Sequence, residues 1–448
     1  MGSSTPTRPP ARKALFGALG VVLALAVGVL LVRGTWRGMQ EDHSRDFALI
    51  YSCVLGWVEG LNPYDASQLD DVWREAGGSE RYLPTARSPV DNLYPPSTFA
   101  LLSPLTLLSW NQTHILWALM NTAMVGIIVW SLLRISGMPF RSVGGLILSA
   151  VACAAAPMTT SIAHGQTPLP VVACVVLAHA LRVGGWSVIP GVLLGMAAAI
   201  KPQIGFVFLA YELFRMRWVI GGTGLAVTDG LAAIGVLRLQ IAGADWLPTL
   251  RSNLAGFRAP GAVSDPALTG PARSHMTNLH VPLHALIENR ALVAGLVFAI
   301  VGVIALIFLA IWLRRREDRR ELLTLSMASS LLLLVVYHRS YDAAVLLIPA
   351  AWAFDSLRRC STWRERWPAL VTLACAAVFI VPGGAALALL EARGTIPQSL
   401  VHTTFYSLFA DGHQAIALVV MSGALMVALW RMPKEPASWA RREESVSA

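Results

Sequence analysis

Charge is what this sequence has least of. Only 14% of its 448 residues are charged, against about a quarter in a soluble domain, which excludes an ordinary water-soluble globular fold. Cysteine is equally sparse. Cys53, Cys153, Cys174, Cys360 and Cys375 are scattered without metal-ligand or disulfide spacing and fall in or beside apolar runs, so there is no zinc or redox framework. A glycine-rich dinucleotide fingerprint is missing, as is a stretch polar enough to make a separate nucleotide-binding domain. The formal charge of +9 does not point to nucleic acid. Its arginines form short clusters between apolar runs, Arg314-Arg315-Arg316 with Arg319-Arg320 and Arg358-Arg359 with Arg364 and Arg366. That is the pattern of cytoplasmic loops under the positive-inside rule.

What the chain does have is apolar length: 55% hydrophobic residues and a mean hydropathy of +0.58. It reads as an all-α polytopic membrane protein, since only helices satisfy their backbone in lipid over segments of this kind. Residues 14–33 form the first span. They follow Arg8, Arg12 and Lys13, are too long for a signal-peptide core and lack a cleavage site. The expectation is a cytoplasmic N-terminus over 1–13, a membrane domain over 14–431 and a cytoplasmic tail over 432–448. Outer loops are expected at 34–97 and 244–290, on the periplasmic side of a bacterial inner membrane.

Later apolar runs cover 142–157, 219–242, 291–313, 321–337, 343–357, 367–390 and 413–431. Two stretches thread two ways: 98–134 as a hairpin with 187–214 as one span, or 98–110 re-entrant with 187–214 as two short helices. Both give about twelve spans. The second is preferred because it puts Arg134, Arg141 and Arg182 inside and His164, Gln166 and Lys201 outside. No internal repeat is evident.

Candidate chemistry gathers in the outer segments. Asp46 follows the first span, where a carboxylate can take a proton from a hydroxyl nucleophile; its bland reading is a solvated acid or helix cap. Asp42 and Glu41 are its rivals, Asp42 sharing a face with Asp46 if the helix continues. Asn62-Pro63-Tyr64-Asp65 is a turn by composition, and Tyr94-Pro95-Pro96 forces an extended entry into the next helix. Lys201, in Ile200-Lys201-Pro202-Gln203, is a cation at a helix break, suited to an anion or else snorkelling. Tyr337-His338-Arg339-Ser340-Tyr341-Asp342 is the densest polar cluster between spans, able to meet an anionic leaving group with Asp342 as orienting acid. In the 244–290 loop His275, His280 and His284 lack metal-ligand spacing, so no metal site is expected, although a divalent metal is not excluded.

An Asp after the first span, then Gly60-Leu61-Asn62-Pro63-Tyr64-Asp65, Tyr94-Pro95-Pro96, Gly165-Gln166 and Lys201-Pro202-Gln203: this order resembles glycosyltransferase family 87. These are membrane enzymes of the GT-C superfamily that include polyprenyl-phosphate-mannose-dependent mannosyltransferases and arabinofuranosyltransferases of actinobacterial envelopes. The resemblance implies a GT-C bundle and an inverting transferase with a polyprenyl-phosphate sugar donor and a glycolipid or glycan acceptor. It places the catalytic Asp on Asp46, the Gly-Gln element on Gly165 and Gln166, the Lys on Lys201 and the aromatic-His element at Tyr337-His338. Lys201, His338 and Arg339 would hold the donor phosphate. The chain departs from the family at Thr277-Asn278-Leu279-His280, which assigns Asn278 and His280 to an acceptor loop. The rival from another class is a transporter or flippase for a lipid-linked solute, which would need matching broken helices in two related halves.

Overall fold

Among the described residues six helices are long and apolar enough to cross a membrane: Ala14–Trp36, Trp110–Ser136, Val143–His164, Trp218–Ile241, Arg290–Leu313 and His413–Arg431. In this computed structural model residues 10–431 are described, apart from 87–91, 268–269, 271–272, 315–320, 382 and 402. Arg8, Arg315, Arg316, Arg319, Arg320 and the 432–448 tail, used above to orient the chain, lie outside the described residues. No strand occurs among the described residues beyond an isolated bridge between Met276 and Arg339.

Ala14–Trp36 and Arg290–Leu313 turn apolar side chains such as Leu25, Val32, Phe298 and Leu306 outward, as lipid-facing helices do, whereas Val143–His164 is mostly enclosed. Around them stand shorter apolar helices, Pro168–Val183, Val188–Ile200, Pro202–Phe214 and Glu321–Val335. At 1.5 Å per residue each of these covers only about 20 Å, less than a bilayer core. Among the described residues the bundle therefore combines six full-length helices with a group of shorter apolar ones.

Both ambiguous stretches resolve locally. Pro96–Leu102 is one short helix followed by a tight 3₁₀ segment at Ser103–Leu107, too short to cross. Val188–Ile200 and Pro202–Phe214 are separate helices of 13 residues each, broken at Lys201 with φ −139° and ψ 83°. One boundary differs from expectation. The helix read as ending at Pro157 restarts at Ala156 and continues to His164. Pro157 sits in the first turn of the new segment, where no amide donor is required.

The 41–96 segment, read as a polar loop, is largely helical. Arg45–Glu59 buries ten of its residues and stops at Gly60, whose φ of +80° a side chain would resist. Its inner face is aromatic: Phe47 stacks on Trp117 at 4.5 Å between centroids, and Trp110 lies between Phe47, Tyr51 and Trp73. Trp57 Nε1 donates to Gly235 O at 2.9 Å, and Arg238 to Val58 O at 2.6 Å. Asn62 Nδ2 donates to Asp245 O and Thr249 Oγ1, while Thr277 N donates to His338 O. The segments 41–96, 244–290 and 337–342 therefore meet at one end of the bundle.

Candidate active site

At that end lies a cavity of about 500 Å³ whose wall includes Asp46, Tyr94, Gln166, Lys201, Tyr337, Arg339 and Asp342. Seven side chains singled out from five separate stretches of sequence are thus gathered in one place.

Asp46 stands in the first turn of the Arg45–Glu59 helix, where the helix dipole favours a carboxylate. Buried Phe47, locked in the aromatic stack, fixes the direction in which its neighbour points. Gln166 Nε2 donates to Asp46 Oδ2. That contact depends on Gly165, which ends the Ala156–His164 helix with φ +69°. A Cβ there would come within 2.4 Å of Phe47 Cβ. Trp117 Nε1 holds the Gly165 carbonyl at 2.9 Å, so the Gly-Gln element is a backbone device that delivers one amide to one acid.

Lys201 is presented by its helix break. The carbonyls left open at the end of Val188–Ile200 are taken by Ser97 Oγ, 2.8 Å from Ala199 O, and by Thr98 Oγ1, 3.0 Å from Ala199 O and 3.3 Å from Ile200 O. Lys201 Nζ pairs with Asp342 and lies 5.4 Å from the Tyr341 ring centroid. The other oxygen of Asp342 accepts from Arg339 N at 3.2 Å and from His338 Nδ1 at 3.0 Å. An ionised carboxylate only accepts, so Nδ1 carries the proton. Arg339 Nε donates to Tyr337 Oη. Counting the charged side chains of the wall, Arg45, Lys201 and Arg339 against Asp46 and Asp342 leave +1, a balance suited to an anion.

Burial pushes the Asp342 carboxyl up, but Lys201 and His338 outweigh it and hold it at about 2. Burial likewise raises the phenols of Tyr94 and Tyr341, which stay protonated. A carboxyl lowered on folding from its ordinary 3.8 contributes stability that is complete above that value and is lost as pH falls through about 2. The contribution is about 2 kcal/mol. Between pH 4 and pH 2 the melting temperature of the purified protein should therefore fall further than that of Asp342→Asn; parallel curves for the two would refute the lock.

Several expected residues stand away from the cavity. Asp42 is not on a common helix with Asp46: a short 3₁₀ turn, Glu41–His43, precedes the Arg45–Glu59 helix, and Asp42 pairs with Arg81 at 2.5 Å on a different cleft. Glu41 accepts from Trp110 Nε1. Asn62, Tyr64 and Asp65 are scaffold. Asn62 Oδ1 accepts from Tyr64 N, Asp65 caps Ser67, and Tyr64 Oη donates to Tyr94 O at 2.8 Å, which steadies Tyr94 at the cavity. His338 is fully buried behind Asp342 and does not reach the cavity wall. Asn278 and His280 do not reach it either. Asn278 Nδ2 is spent on Val336 O, and His280 is pushed down to about 4 by burial and His284, so it carries no charge at neutral pH. From the 244–290 loop Phe257 and Val263 line the wall instead, and Arg45, Leu49 and Tyr341 join them. Apolar loop residues without spacing carry no sequence signal.

Far from the cavity His179, Glu212 and Glu321 form the one cluster of potential metal ligands among the described residues, with ligand atoms within 4.8 Å. Arg182 and Arg217 pair with the same two carboxylates. Two guanidiniums already balance the two acids, so this is a charge-neutral buried lock joining three helices, and a dication would have to displace them from the carboxylates. Its members come from three stretches far apart in sequence, which hid it.

The model of glycosyltransferase family 87 matches residues 92–337. The chain belongs to that family. No curated protein matches it. The match takes in Tyr94, Gln166, Lys201 and Tyr337; Asp46 precedes it and Arg339 and Asp342 follow directly, so the cavity extends the family region at both ends. Membership makes the protein a membrane glycosyltransferase and removes the transporter reading.

Proposed function

We propose that this glycosyltransferase moves a sugar, mannose or another hexose or pentose, from a polyprenyl-phosphate donor to an envelope glycolipid or polysaccharide at the outer face of the membrane. The observation that carries the reading is that the Asp46 carboxylate faces the same cavity as the cations Lys201 and Arg339. In a single displacement the acceptor oxygen attacks the anomeric carbon as the bond to the phosphate oxygen breaks. The acceptor proton passes to Asp46, and the bonding pair leaves on the phosphate, so the anomeric configuration inverts. Arg339 and Lys201 stabilise the charge that develops there, the kind of preorganised electrostatics that supplies the largest catalytic term. Arg339 is fitted to this role: burial disfavours its charge, but Tyr341, Tyr337 and Asp46 outweigh it, so it stays cationic.

The test offers reconstituted protein polyprenyl-phosphate-mannose and polyprenyl-phosphate-arabinose separately, with a membrane lipid extract as acceptor and mass spectrometry of the products. Transfer from one donor, with release of polyprenyl phosphate, is expected. Transfer from a nucleotide sugar alone would refute the proposal.

A further inference from the structure

The Trp218–Ile241 helix carries an acid where a membrane span can least accommodate one. Asp229 is the twelfth of its 24 residues. At 1.5 Å per residue it lies about 17 Å from either end, midway along the span. It is exposed, while Ile220, Gly224, Thr228 and Leu239 bury the opposite face of the helix. Among the described residues it makes no hydrogen bond or ion pair. The acids enclosed in the bundle are matched: Glu212, Asp342 and Asp411 pair with Arg217, Lys201 and Arg273. An ionisable side chain at this depth is costly in lipid, so it points to a contact that meets it.

The surface around Asp229 is unlike the rest of the lipid-facing wall. With 3.6 residues per turn, Gly222, Ala226, Asp229 and Ala233 fall on one stripe with Gly230 at its edge. All five are exposed, and a Cβ on Gly222 or Gly230 would meet nothing within 4 Å. The Arg290–Leu313 helix instead turns Phe298, Val303 and Leu306 outward. The buried face of the Trp218–Ile241 helix shows what small residues do here. Gly191 and Gly195 of Val188–Ile200 bring the two backbones so close that a Cβ on either would lie 2.6 Å from Ile220 O or Gly224 O. Thr228 Oγ1 then donates to Gly195 O at 3.1 Å. Small residues and one polar side chain hold that contact, as is usual between helices in lipid. The outer stripe repeats the composition and stands open.

We infer that this stripe binds the same stripe of a second copy of the chain, with the two Asp229 carboxyl groups hydrogen-bonded to each other. A carboxyl group that carries its proton has one donor and one acceptor, so two of them complete each other. Identical rows of glycine and alanine let the two backbones approach as closely as the contact inside the bundle does. A two-fold interface thus satisfies the acid and covers the stripe with one surface. A partner helix bearing a cation would satisfy the acid alone.

The test reconstitutes the full-length protein in phosphatidylcholine vesicles, half of the copies with a donor fluorophore at the N-terminus and half with an acceptor. Resonance energy transfer between copies is followed as the protein is diluted with lipid, and wild type should associate with a stoichiometry of two. Asp229→Leu should need at least about tenfold more protein per lipid to associate equally, the scale of a hydrogen-bonded pair between helices in lipid. Asp229→Asn should associate like wild type, because two amides also match donor with acceptor. Ala226→Leu keeps the acid but fills the stripe, and should weaken association as well. Leucine is at home in lipid, so an unchanged melting temperature is expected for both leucine variants and verifies their fold. Wild type that stays monomeric at every dilution, or associates no better than Asp229→Leu, would overturn the inference. So would a loss in Asp229→Asn as large as in Asp229→Leu, which would assign a cation to the acid in place of a second copy. None of these measurements reads sugar transfer, so their outcome is independent of the roles of Asp46, Lys201 and Arg339.

Discussion

Asp46→Asn should lower turnover roughly a hundredfold or more while binding of the polyprenyl-phosphate donor changes little, because a general base contributes on that scale and the substitution keeps the volume. The geometry sharpens this. Gln166 Nε2 donates to Asp46 Oδ2, and an asparagine can offer its carbonyl to the same amide, so the side chain should keep its place and lose only its basicity. Phe47 and the stack of Trp110 and Trp117 behind it are untouched. Asp42→Asn is the matched control: it removes an acid four positions away that pairs with Arg81 outside the catalytic cavity. Transfer rates from a single-turnover assay decide the matter. Normal transfer by Asp46→Asn with loss in Asp42→Asn would name the other acid as base. Normal transfer by both would end the proton-acceptor role of this segment.

Much of this arrangement was legible in the sequence because each signal was local and costly. A lysine inside an apolar run followed by proline predicts a break, and the break is there, with its open carbonyls capped by Ser97 and Thr98. The Gly-Gln element that the family resemblance implies falls on Gly165, which takes the left-handed conformation that delivers Gln166. What escaped notice was everything set by distant packing. Proximity in the sequence made His338 and Arg339 a pair with one role, yet successive residues on an irregular segment point apart: His338 is enclosed and Arg339 faces the cavity. Asn278 and His280 looked like acceptor contacts because they stand where the chain departs from its family. They are instead part of the packing under residues 334–339, where Leu279 N donates to Leu334 O. The His179–Glu212–Glu321 lock joins three helices through side chains whose separate sequence contexts carry no signal. The break of 187–214 into two helices of 13 residues each follows the preferred threading, because the Lys201-Pro202 pair cannot continue a helix.

Lys201→Met should be the most destabilising single change in the site, and pairing it with a change at Asp342 separates architecture from chemistry. Asp342 is almost fully enclosed, and Lys201 is its strongest stabilising charge. Removing one partner of such a pair leaves an uncompensated charge and costs about 3–5 kcal/mol, whereas removing both is often nearly neutral. Lys201→Met alone should therefore give a sharply lower melting temperature, and Lys201→Met with Asp342→Asn should recover most of it. In the double variant His338 and Arg339 N can still donate to the carbonyl oxygen of the introduced asparagine, since both contacts fall on a single oxygen of the Asp342 side chain. Donor affinity then tells the two roles of Lys201 apart. If the ammonium also meets the lipid phosphate, the stable double variant should still bind undecaprenyl phosphate about tenfold or more weakly than wild type, the usual worth of a charged contact to phosphate. Recovery of both stability and phosphate binding would make Lys201 a partner of Asp342 alone and leave Arg339 as the cation that receives the leaving group.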